Sequence, residues 1–161
     1  MNKVLILIHF LCLSSLALAS SNEFESWNFL EKSKQFSLLQ HKSLLNTYIA
    51  ISKRYDESVS EFLQDKSQLK LDQLISERRK AMSLVGVTQW KADKKEWIEN
   101  LNIIKISGSY KDHKGIQVEF LEYHSYQPKE VLQILLTTPN ISSIKDTEQL
   151  IKTLSAIEIM Q

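Results

Sequence analysis

Cysteine is almost absent from this chain of 161 residues: the single one, Cys12, lies near the amino terminus. One thiol cannot staple a fold, so the disulfide scaffolds of small secreted domains are excluded. Glycine and proline are also scarce, three and two residues respectively, and every one lies beyond residue 85. The glycines, at 86, 108 and 115, form no phosphate loop, and the chain carries no G-x-S-x-G, Walker or H-E-x-x-H motif. Nor is there a surplus of charge. Twenty Lys and Arg face nineteen Asp and Glu, for a formal charge of +1. Neutralising a phosphate backbone needs a basic excess on some face, so nucleic acid is excluded as the main ligand.

The first nineteen residues, MNKVLILIHFLCLSSLALA, do offer something. Lys3 precedes the apolar run Val4 to Leu16, and Ala17-Leu18-Ala19 places small residues where a signal peptidase reads. This is the outline of a secretory signal peptide cut after Ala19, leaving a chain that starts at Ser20. The run is shorter than the ~20 apolar residues that span a bilayer, and His9 and two serines interrupt it. The reading is therefore export to a periplasm or beyond, with no membrane span in the mature chain unless residues 4–19 are retained as an anchor. Cleavage would remove Cys12 and Lys3 and leave a neutral, cysteine-free protein held by packing alone.

From Ser20 to Val85 there is no strong helix breaker, and Leu, Lys, Glu, Gln and Ser dominate. With Leu38 at position a of a heptad, Leu45, Ser52, Val59 and Lys66 follow at a, and His41, Tyr48, Tyr55, Phe62 and Leu69 fall at d. The spacing predicts a coiled-coil-like arm over residues 20–87. It is either one helix of roughly 95 Å at 1.5 Å per residue or a hairpin broken near Asp56-Glu57-Ser58. Leu38, Leu45, Tyr48, Tyr55, Val59, Phe62 and Leu69 become the candidate partner-binding stripe. The blander reading of such a stripe is internal packing, and His41 within it reads as a tolerated interfacial histidine.

Residues 88–161 predict a small α+β domain. Trp90, Trp97, Ile98 and Leu101 recur at helical spacing. Alternation then takes over at Ile104-Ile106 and Ile116-Val118-Phe120, with Lys111 to Gly115 as a hairpin turn. His113 and His124 would sit at opposite ends of the second strand, too far apart to share a metal, so neither a metal nor a cofactor is expected. Gln127-Pro128 is read as opening a helix through VLQILLTT. Strands are expected at Ile141 to Lys145 and Ala156 to Met160, with the middle of the tail ambiguous. Asn140-Ile141-Ser142 is a glycosylation sequon.

WKADKKEWIENLNIIKISGSY followed by GIQVEFLEYHSYQPKEVLQILLTTPNISSI resembles the periplasmic ferredoxin-like domains of type IV pilus and type II secretion assembly proteins, of the PilN, PilO and GspM kind. The likeness lies in a tryptophan-bearing helix, a G-x-Y strand end and an S-Y helix start, over roughly half the chain. It implies a ferredoxin-like α+β domain behind a helical arm, with no catalytic residues. The expectation is thus an exported non-enzymatic protein of a bacterial envelope machine (pilus, secretion or DNA-uptake apparatus). It would bind a protein partner, or itself, through the helical arm. The alternative is a periplasmic binding or inhibitor module that uses the 106–126 hairpin, with Tyr110, His113 and Tyr126. A hydrolase with an unrecognised site stands third.

Overall fold

The computed structural model describes residues 25–57, 59, 68–98, 102–144 and 147. Seven strands form one sheet: β1 (Trp27–Lys32), β2 (Phe36–His41), β3 (Tyr48–Tyr55), β4 (Thr88–Ile98), β5 (Ile103–Lys111), β6 (Gln117–Gln127) and β7 (Glu130–Thr138). Their spatial order is β1-β2-β3-β7-β6-β5-β4, antiparallel throughout. The sheet is two meanders. β3 and β7 are zipped together at the seam, from Tyr48 opposite Thr137 to Tyr55 opposite Glu130. Between the meanders runs α1 (Gln68–Leu84).

Because paired residues share a face, the register sorts the core into two layers. On one face Trp27, Leu39, Ile49, Ile51, Leu121, Tyr123, Leu132, Ile134 and Leu136 pack together, joined by Ile103, Ile141 and Ile144. On the other, Val59, Leu71, Trp90, Ile104, Ile106, Phe120, Tyr126 and Val131 pack with α1 through Leu74, Ile75 and Met82. The two cores are offset. The first lies over β1–β3, β7 and β6, and the second over β4–β7 beneath the helix. Leu39, Ile49, Ile104, Ile106, Ile134 and Leu136 are almost wholly enclosed. Each is worth about 1.5–3 kcal/mol relative to exposure, so these layers dominate the stability.

The arm expected over residues 20–87 is not a helix. Residues 27–55 are three strands, and α1 is the only α-helix among the described residues that runs beyond a turn. Among the described residues there is neither a coiled coil nor a ferredoxin-like domain. The heptad spacing came from strands and loops. Leu38 and Tyr48 lie half-buried in β2 and β3, Leu45 is exposed in the loop between them, and Tyr55 is exposed at the end of β3. Val59 is a core residue, Leu69 lies in α1, and Phe62 is outside the described residues.

Two segments expected as helices in the second half are also strands. TQWKADKKEWI is β4. Its register slips between Ala92 and Lys94, and that bulge restores Trp97, opposite Ile104, to the face that Trp90 occupies. Two tryptophans seven residues apart on one side imitate a heptad. VLQILLTT belongs to β7, a central strand with core residues on both faces: Leu132, Ile134 and Leu136 in one layer, Val131 and Leu135 in the other. Gln133 alone breaks its apolar stretch, so its polarity shows no period of two even though burial alternates from Leu132 to Thr138. Pro128 and Lys129 form a two-residue turn between Gln127 and Glu130, with Lys129 at φ 66, rather than a helix start. Ile141–Ser143, expected in a strand, is a 3-10 turn capped by Asn140. The expectations for residues 1–19 and Ala156 to Met160 lie outside the described residues.

Candidate functional site

The hairpin that drew attention in the sequence is β5, a turn at Asp112 to Ile116, and β6. Asp112 Oδ1 accepts the amides of Lys114 and Ile116, each at 2.8 Å, and Gly115 takes a positive φ of 78. The amide bond from Ile116 is the main cause holding the Asp112 carboxyl below its ordinary range. Alternation along β6 then divides its side chains between two chemically different places.

On the helix side lies a buried ionic cluster. Glu122 is 1 % exposed, and its Oε1 accepts His124 Nε2 at 2.8 Å and Gln133 Nε2 at 2.6 Å. Arg78, reaching down from α1, places Nε 3.0 Å from Oε1 and 3.2 Å from Oε2. Burial alone would push this carboxyl up. The His124 hydrogen bond and charge, with Arg78 behind them, outweigh it and hold Glu122 below the usual carboxylate range. His124 stacks on Tyr126, which stacks on Trp97. Burial pushes the phenols of Tyr126 and Tyr110 up, so both remain protonated across physiological pH.

A His–Glu pair at 2.8 Å is the geometry that orients a general base. Here the carboxylate already serves three donors, the imidazole is buried, and α1 covers the pair. No serine or threonine hydroxyl is recorded in a hydrogen bond to His124 among the described residues. The cluster ties the helix to the sheet: Arg78 supplies the cation, and β6 and β7 supply the rest. Sequence reasoning placed His124 where the strand gives way and missed its partner. The available signal was Glu122-x-His124, two residues apart, which puts both on one face of a strand.

On the opposite face, where β4 and β5 run past the first core, the surface is polar. A half-open cleft of about 320 Å³ is lined there by Asp93, Lys94, Ser107, Ser109, Gln117 and Glu119, over Leu121 and Ile141. The 3-10 turn after β7 closes one side, with the Ile141 amide donating to Glu119 Oε2 at 2.6 Å. At the bulge, Asp93 is paired with Lys91 at 2.6 Å. Two hydroxyls, two carboxylates and a lysine above an apolar floor can hold an extended peptide segment or a small amphiphile. Gly108 makes the close approach of β4 possible, since a Cβ there would stand 2.0 Å from the Lys91 carbonyl oxygen.

The hairpin residues expected to contact a target are dispersed. Tyr126 is buried beneath α1, Tyr110 lies half-buried on that same side against Phe120, and only His113 is exposed. His41 sits far across the sheet, its Nδ1 accepting the amides of Ser43 and Leu44 and its ring edge-on to Trp27. Among the described residues no group of three or more metal-ligating side chains converges. No family model matches this sequence, and no curated protein matches it.

Proposed function

We propose that this chain is an exported, non-enzymatic interaction protein of a bacterial cell envelope. The sheet is its scaffold, and the polar cleft beside the β5–β6 hairpin is its recognition surface. The observation that carries the reading is the cleft. It is a concave polar patch bounded by β4, which among the described strands is an edge of the sheet. The leader-like residues 1–19 and the near balance of charge support export and a protein or peptide ligand rather than nucleic acid.

A photo-crosslinking residue at Ser107 or Ser109, introduced in the native host, tests this. The cleft positions are expected to give a discrete crosslinked product that Ser76, exposed on α1, does not give. Equal labelling from both faces, or none from the cleft, would count against the reading. So would a Ser107→Tyr chain that still forms every complex of the wild type.

A further inference from the structure

The end of the sheet where α1 hands over to β4 carries an apolar tip that the cleft does not explain. α1 stops in a Schellman motif. The Val87 amide donates to Met82 O at 3.1 Å, the Gly86 amide to Ser83 O at 3.2 Å, and Gly86 takes φ 80. Val87 and Met82 tuck into the helix-side core, as that motif favours. The two residues before the glycine are thereby turned outward. Leu84 is 87 % exposed and Val85 71 %.

The register brings a third apolar residue to them. Thr88 pairs with Lys111 and Lys111 with Gln117, so the α1–β4 turn lies roughly 10 Å, two strand spacings, from the β5–β6 turn and its exposed Ile116. Lys80 lies one helical turn before Leu84, and Lys111, His113 and Lys114 belong to the neighbouring hairpin end. Lys80, Lys111 and Lys114 form no ion pair with a described acidic residue. Asp112 is the acid of this turn, and its Oδ1 is already taken by two amides.

We propose that this tip, Leu84, Val85 and Ile116 ringed by Lys80, Lys111 and Lys114, docks the protein on an anionic lipid surface. Its apolar residues are few, exposed and aliphatic and have lysines beside them, which suits insertion between anionic headgroups. The lysines stand at the level where lipid phosphates would meet them. Binding a bilayer here leaves the cleft, on the polar face of the sheet, open to a partner.

Co-sedimentation of the full chain with phosphatidylcholine vesicles, with and without phosphatidylglycerol, tests the proposal. Binding is expected only with the anionic lipid. It should weaken at least about fivefold in Leu84→Ser/Val85→Ser and in Lys111→Glu/Lys114→Glu, with circular dichroism unchanged. Equal binding to both vesicle types would overturn the proposal. So would binding that both double variants retain, as attachment through residues 1–19 would give, or no binding at all. Ser107→Tyr, which fills the cleft, is expected to leave vesicle binding intact, so failure of the cleft reading and failure of this one are separable.

Discussion

Glu122 is the buried carboxylate among the described residues, and its surroundings say what happens when they are disturbed. A carboxylate removed from water survives only while its donors remain. Arg78→Ala leaves the buried charge without its cation, and a loss of about 3 kcal/mol in urea unfolding is expected, reduced somewhat by the partial exposure of Arg78. The pH dependence follows from the lowered folded-state pKa. Between the folded and unfolded values the unfolded chain binds more protons, so stability rises with pH in that window. The contribution is complete above the ordinary carboxylate range and is lost as pH falls through the lower, folded value. Unfolding midpoints between pH 3 and pH 6 should therefore decline less steeply in acid for Glu122→Gln than for the wild type. Gly108 makes an independent residue-scale prediction. With 2.0 Å between a new Cβ and a backbone oxygen that cannot rotate away, Gly108→Ala should destabilise by about 3 kcal/mol or more, or fail to accumulate as soluble protein.

At the scale of elements, β4 shows how a strand can carry a helical signature. One extra residue at the Ala92–Lys94 bulge changes which spacing shares a face, so Trp90 and Trp97 sit together at an interval of seven. Deleting Asp93 should restore strict alternation and drive one tryptophan out of the core, seen as a red shift in emission and a lower melting temperature. Losing the exposed Lys91–Asp93 pair itself should matter little. The turns make a paired prediction. Gly86 stands in open space at φ 80, so Gly86→Ala tests backbone strain alone and should cost about 1 kcal/mol. Lys129, a non-glycine at φ 66, should gain up to about 1 kcal/mol as Lys129→Gly. The β5–β6 hairpin was legible from sequence because period-two alternation surrounds a polar five-residue turn ending in glycine. β2, β3 and β7 were not. Short strands with few glycines, or with both faces buried, leave no period to separate them from helix. Of the candidate site, the sequence placed His113 in the hairpin turn and His124 towards the far end of the second strand. It could not show that Glu122 meets Arg78, because that contact joins β6 to a helix residue 44 positions earlier, and no local pattern records it.

For the whole molecule, the expected localisation predicts its own product. If residues 1–19 are a signal peptide, protein recovered from the exporting cell should begin at Ser20 by mass spectrometry. An intact Met1 in that fraction would instead mean a retained anchor.

The seam between the meanders has a kinetic side. β3, finished by residue 55, finds its neighbour only when residues 130–137 exist, so a nascent chain holds three strands with an open flank until β7 has been made. Pairings this distant along the chain form late and slowly. The register that locks the two meanders together therefore arrives only with β7, and until then the flank of β3 is open to pairing with another chain.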